Sequence, residues 1–308
     1  MENILSKFCI PDHRHIAFVD NEGMVRNINN NESVRDIDNK YILKRTLHLD
    51  QCKKNINLTQ QLSKNGILVP QFIPLKDGGF YIQDGDYFYS LMTKINGKPM
   101  DIGKGDYIKN AENMGKIVAS LTLALSSCEC SFCKDMDWVV ALNDWIPYEI
   151  KSNALPISRE ILDYLSNFEA LYKKLPRQIN HKDLNGGNIL FDDNRVFQGF
   201  IDFDRAETDA RVYDLCYIFW CILWTDRTDT KQFEKCNEIA RSIYVKYDSI
   251  VMLTDEEKLA IPYFYIYIGL LVSASLAKSG DTDFINLAVK VAENTELAYS
   301  NLRYFWFA

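Results

Sequence analysis

Between Ile179 and Asp204 the chain concentrates side chains that can do chemistry: His181, Asp183, Asn188, Asp202 and Asp204. Two short apolar runs, Ile189-Leu190-Phe191 and Gly199-Phe200-Ile201, are separated by Asp192-Asp193-Asn194-Arg195. Those residues turn a chain by bonding their own backbone, so the spacing predicts a β-hairpin. Asn188 and Asp202 flank it, each seven residues from Arg195, and antiparallel pairing would bring the amide beside the carboxylate. One oxygen from each suits a hard cation such as Mg²⁺, which takes few protein oxygens and keeps positions for water and phosphate oxygens. Asp183, five residues before Asn188 in a glycine-rich loop, is the candidate base for a hydroxyl brought to that cation.

His181-x-Asp183-x-x-x-x-Asn188, followed fourteen residues later by Asp202-Phe203-Asp204, resembles the catalytic loop and metal-binding Asp of the group that holds aminoglycoside phosphotransferases, choline kinases and homoserine kinases. The resemblance implies an α+β, bilobal protein-kinase-like fold. Its N-terminal lobe, residues 1–95, would be a small antiparallel β-sheet plus one helix that binds nucleotide. Its C-terminal lobe, residues 96–308, would be mainly helical and carry the catalytic β-hairpin. ATP and Mg²⁺ follow as cofactors, with Asn188 and Asp202 on the metal, Asp183 as base and His181 bracing the loop. The same residues would also suit a plain solvated hairpin. Four polar types at matching spacing favour the site.

The elements that must position these groups can be read outward from them. Met24–Ile28, Val34–Ile37 and Tyr41–Thr46 are short alternating runs parted by turn formers, and they predict three antiparallel strands. In the resemblance the Asn-rich turn, with Asn31 and Ser33, lies over the nucleotide phosphates, and Lys44 on the third strand reaches the α and β phosphates. Residues 47–64 predict a helix. The family's helix carries a Glu that pairs with the strand lysine, yet no acidic residue occurs from Gln51 to Lys76. Asn55 takes the Glu position, with Gln60 as an alternative, and a neutral amide supplies no ion pair. Residues 80–93 predict a second hairpin that runs into the interlobe hinge of the resemblance, where backbone groups near Thr93 and Ile95 would bond adenine.

Helical spacing dominates afterwards. Helices are expected over 111–127, 158–174, 213–224, 231–247, 254–277 and from Asp281 onward, with an irregular connection over 128–157. Asp214 suits a capping role at its helix start, and in the family the matching Asp braces the catalytic loop. Only eleven residues separate Asp202 from Asp214, too few for the activation segment of a protein kinase, so a small-molecule hydroxyl acceptor is expected. Asp204, Glu207, Asp209, Asp144 and Glu149 either attract an amine-bearing acceptor, such as an aminoglycoside, amino sugar, choline or homoserine, or are ordinary surface charge.

Composition limits the partners. A net charge of −7 and no basic stripe argue against nucleic acid. Eight scattered cysteines without a leader-like N-terminus predict reduced thiols and a cytoplasmic location, and Cys128, Cys130 and Cys133 lack a nearby fourth ligand for zinc. Residues 259–277 are uncharged and long enough to span a bilayer, but Pro262, three tyrosines and two serines favour a buried core helix over a membrane partner. Nothing in the pattern specifies an oligomeric state.

Overall fold

Alternation with a period of two gives way to helical spacing near Pro99, and the computed structural model, which describes residues 2–10, 16–18, 33–224 and 230–305, follows that change. The elements run α1 (Glu2–Leu5), β1 (Ile16–Phe18), β2 (Ser33–Ile37), β3 (Tyr41–Thr46), α2 (Leu49–Lys64), β4 (Tyr81–Asp84), β5 (Tyr87–Thr93) and β6 (Lys98–Pro99). Then come α3 (Tyr107–Leu125), α4 (Trp138–Asn143), α5 (Trp145–Ser152), α6 (Arg159–Ser166), α7 (Glu169–Tyr172) and β7 (Arg177–Asn180). β8 (Ile189–Phe191), β9 (Phe197–Phe200) and β10 (Glu207–Ala210) precede α8 (Tyr213–Leu223), α9 (Thr230–Val251), α10 (Asp255–Ala277) and α11 (Thr282–Ser300).

Two compact units result. The first holds Met1–Met100, Ser127–Lys134 and Gly187–Ala206; the second holds the remainder. Residues 187–206, expected with the C-terminal part, thus group with the first unit.

The first unit is built on a five-stranded antiparallel sheet in the order β1-β2-β3-β5-β4. Leu43 and Leu91 are register partners on one face, buried with Ile37, Ile82, Leu5 and Phe8. The alternate positions Ile42 and Met92 face Cys52 and Ile56 of α2. Because side chains alternate along a strand, Lys44 leaves the sheet on the α2 face. β6, β8 and β9 form a second, three-stranded sheet. The expected strand at Met24–Ile28 lies outside the described residues, and the outer strand next to β2 is Ile16–Phe18.

The second unit is a helical body around α10. Ile261, Phe264, Ile266, Tyr267, Ile268 and Leu270 of that helix are all buried. Among the described residues α10 is the one helix long and apolar enough to cross a membrane by length and composition, and 61% of its apolar window is inside the protein. Its capping box is formed as the sequence suggested: Glu257 N–H donates to the Thr254 hydroxyl and Thr254 N–H to the Glu257 carboxylate. α3 and α9 cross where Gly115 lets them touch; a Cβ there would sit 2.5 Å from the Ile243 carbonyl oxygen.

Two expectations need correction here. The connection over 128–157 contains α4 and α5, because Asp137 caps at Val139 N–H and Trp138 is buried against Phe168, 4.9 Å between ring centres. Asp144, read as part of a loop, is the junction between those two helices. The helix expected over 158–174 is broken in two at Asn167-Phe168, where Phe168 turns inward to stack on Tyr263 at 4.7 Å.

Candidate active site

In the first unit the hairpin delivers Asn188 and Asp202 to neighbouring positions, though one residue out of the expected register. Ile189 pairs with Phe200 and Leu190 with Gly199, and a bulge follows between Leu190 and Phe191. Asn188 therefore lies opposite Ile201, whose N–H donates to the Asn188 carbonyl at 3.1 Å. The turn is centred on Asn194 rather than Arg195, with Asp192 N–H bonded to the Val196 carbonyl, and the bulge recovers one of the two residues by which this displaces the register. Gly199 sits where a Cβ would meet Ile95 Cδ1 at 2.6 Å and the Leu68 carbonyl at 2.8 Å, so the hairpin can press against that segment only as glycine. Phe200 N–H then donates to the same Leu68 carbonyl at 2.9 Å.

Immediately after β9 the backbone reverses. Asp202 adopts a left-handed conformation, φ +66°, which a short polar side chain tolerates better than a branched one. Phe203 is fully buried and anchors the turn. The Lys44 ammonium meets this segment: it is 3.0 Å from Asp202 Oδ1 and is also ion-paired with Asp204. The Lys44 and Asp204 side chains are 15% and 11% exposed, whereas Asp202 is 47% exposed and keeps room for a further ligand. Burial alone would push the ammonium down, but the Asp204 and Asp202 carboxylates outweigh it and hold Lys44 above its ordinary value. Lys44 is thus firmly cationic at neutral pH.

Asp204, expected either to attract an amine-bearing acceptor or to be ordinary surface charge, is instead largely buried and accepts from Lys44, from Gln51 Nε2 at 2.8 Å and from Asn55 Nδ2. Asn55, set at the position of the family's Glu, does face this site, but its partner is Asp204. The signal was present in Asp202-Phe203-Asp204: a residue two beyond a turn anchored by a buried Phe returns to the side of the first.

In the second unit the loop ahead of Asn188 is held by α8. Val212 is the N-cap of that helix, so Asp214 does not cap it. The Asp214 carboxylate instead accepts the backbone N–H of His181 at 2.6 Å and of Lys182 at 2.9 Å. Burial pushes Asp214 above its usual range, opposed by His181 and by those two bonds. His181 is itself fully buried. Asp183 receives the Tyr217 hydroxyl and Asn185 Nδ2 on Oδ1, both at 3.0 Å. Tyr217 was not anticipated, yet its spacing of three from Asp214 puts both on one helix face. Asp209 is 1% exposed and bonded to Lys182, Tyr172 and its neighbour's N–H, so it belongs to the framework rather than to an acceptor surface.

The remaining expected contacts are unevenly placed. Asn31 lies outside the described residues, and Ser33 opens β2 opposite Arg45. Thr93 N–H is bonded to Gln71 O at 2.9 Å and Lys94 N–H to Lys40 O at 2.8 Å. Among the described residues no cluster of three or more His, Cys, Asp or Glu is arranged to hold a metal. An amide oxygen and one half-exposed carboxylate fit Mg²⁺, which completes its shell with water and phosphate oxygens rather than an all-protein cage.

Comparison with known proteins bears on the fold and the family. A homoserine kinase of Zymomonas mobilis subsp. mobilis is 36% identical over 101 residues, 32% of this chain, a match that spans only 28% of that enzyme. A homoserine kinase of Methylobacillus flagellatus is 25% identical over 256 residues, 79% of this chain and 75% of the enzyme. The GDP complex of aminoglycoside 2′-phosphotransferase-IIIa superposes with a TM-score of 0.69 at 14% identity, covering 96% of this chain and 97% of that one. A microcompartment-associated aminopropanol kinase superposes with a TM-score of 0.70 at 15% identity, covering 100% and 98%. The fold is therefore kinase-like. Residues 27–237 match the profile described as "Phosphotransferase enzyme family", more than half of the sequence, and the chain belongs to that family.

Proposed function

We propose that the protein is an ATP- and Mg²⁺-dependent kinase that transfers the γ-phosphoryl group to a hydroxyl of a small, amine-bearing alcohol. The observation that carries the reading is the ion pair of Lys44 with a half-exposed Asp202 just beyond the Asn188 hairpin. The acceptor class is supported by the relatives, whose names point to homoserine, aminopropanol and aminoglycosides, each both an amine and an alcohol.

In this reading residues 1–95 supply most of the nucleotide contacts and residues 96–308 the acceptor side. Lys44 steadies the α and β phosphates, and Ile95 contributes the adenine contact. Asn188 and Asp202 hold Mg²⁺, which offsets charge on the transferring phosphates. Asp183 orients the acceptor hydroxyl and takes its proton as the new O–P bond forms and the bond to the ADP oxygen breaks. Asp214 and His181 fix the loop backbone. Phosphoryl transfer gains mainly from positioning and charge stabilisation, which suits a site of buried, multiply bonded groups.

Thermal melting with ATP and Mg²⁺ tests the nucleotide half of the proposal. At a concentration about 100-fold above the dissociation constant, binding stabilises the folded state by about 2.7 kcal/mol and raises the midpoint by several degrees. No shift at millimolar nucleotide would favour a kinase-fold binding protein without chemistry.

A further inference from the structure

We infer that Asp204 is the positioning residue for Lys44, performing from the segment after the hairpin the task the family assigns to an acid on the helix α2. This inference rests on the kinase reading and deepens it. Three donors converge on the one carboxylate: the Lys44 ammonium, Gln51 Nε2 at 2.8 Å and Asn55 Nδ2. Gln51 and Asn55 are four apart on α2, one turn, so they present two amide donors on a single face. An Asn or Gln on that face is the complement of an acid approaching from outside, just as a Glu there would be the complement of the lysine itself. In this chain the acid stands at position 204 and the helix supplies the donors.

This arrangement has a second effect on the same site. Lys44 touches both Asp202 and Asp204, and Asp204 is the more buried of the two. With Asp204 engaged, Lys44 need not be held by Asp202 alone, and the Asp202 carboxylate stays open to Mg²⁺. Without it, the buried ammonium would have Asp202 as its remaining acid in this cluster, and the metal would have to compete for that group.

A charge swap separates this role from simple space filling. Binding of AMP-PNP in the presence of Mg²⁺ is measured by calorimetry for the full chain, for Asp204→Asn, for Asn55→Glu and for the double variant, with melting temperatures recorded for each. Either single variant is expected to weaken binding about tenfold or more, the loss of one charge-assisted contact or the gain of one repulsion. The double variant restores an acid on α2 with an amide facing it, and is expected to recover to within about threefold of the parent. Gln51→Met removes one donor and no charge, and serves as the mild variant should Asp204→Asn fail to fold; about threefold weaker binding is expected. Unchanged binding in Asp204→Asn, or in Gln51→Met where Asp204→Asn does not fold, overturns the inference. Losses that merely add in the double variant overturn it as well, and would fit Asp204 as a metal ligand. A parent chain that binds no AMP-PNP overturns the kinase reading and this inference with it, whereas failure of the swap alone leaves the kinase reading standing.

Discussion

The Tyr217 hydroxyl donates a 3.0 Å hydrogen bond to Asp183 Oδ1, and one turn earlier on the same helix Asp214 accepts the backbone N–H groups of His181 and Lys182. One face of α8 thus fixes both the backbone of the loop and the Asp183 side chain. Tyr217→Phe removes the hydroxyl and keeps the ring. Turnover should fall about ten- to 100-fold, the share of one hydrogen bond to a charged group, with nucleotide affinity unchanged. Equal turnover in steady-state kinetics would show that Tyr217 does not hold Asp183.

Asp214→Asn should act on stability as well as rate. The carboxylate is buried and takes two backbone donors; an amide offers one acceptor and turns its own N–H₂ toward the other donor. We expect a loss of about 1–3 kcal/mol in urea unfolding and a lower melting temperature. An unchanged unfolding midpoint would contradict the bracing role.

Gly199→Ala tests the seat of the hairpin. A methyl group would overlap Ile95 Cδ1 and the Leu68 carbonyl, and the backbone can relax only by lifting β9 from that segment. Overpacking of this kind costs about 1–3 kcal/mol, readable as a shift in the denaturation midpoint at unchanged slope. A variant as stable as the parent would mean that the close approach does not exist in solution.

Much of this was legible in the sequence. The hairpin, the strand bearing Lys44, the capping box at Thr254 and the long apolar helix were all written in local pattern: turn residues between apolar runs, alternation, an S/T-x-x-E start. What escaped was decided by contacts between distant segments. A turn centred on Asn194 and the bulge after Leu190 together put Asn188 opposite Ile201, and no local residue announces a bulge in advance. Trp138 and Phe168 organised α4 and the break between α6 and α7 through ring contacts with each other and with α10. The ion-pair partner of Lys44 was sought on α2, where the family keeps it, and was found 160 residues away in the chain at Asp204.

The cysteines of residues 128–133 yield a pH-dependent prediction. All three are free thiols, and Cys130 is partly exposed. A hydrogen bond from Cys133, aided by backbone N–H groups of Phe132 and Cys133 against the effect of burial, lowers Cys130 to about 6. The thiolate is the reactive form, so alkylation of Cys130 by iodoacetamide should be near its plateau at pH 7 and fall as pH drops through about 6. Burial pushes Cys128 the other way, up to about 11, and it should stay largely unlabelled under the same conditions. Peptide mapping after labelling distinguishes them. Labelling of Cys130 that still climbs steeply between pH 8 and 9 would refute the assignment; the range is chosen around an ordinary thiol of about 8.5.

In the proposed reaction Asp183 prepares a small alcohol to receive phosphate from ATP. The most direct test of that role is mass-spectrometric detection of phosphorylated product, with Mg²⁺ and ATP, over a panel of amine-bearing alcohols that includes homoserine, choline, aminopropanol and an aminoglycoside, for the parent chain and for Asp183→Ala. A phosphorylated product is expected from the parent, with at least about 10²-fold slower formation by the variant, which still binds nucleotide. Full turnover by Asp183→Ala on the same acceptor would contradict that role.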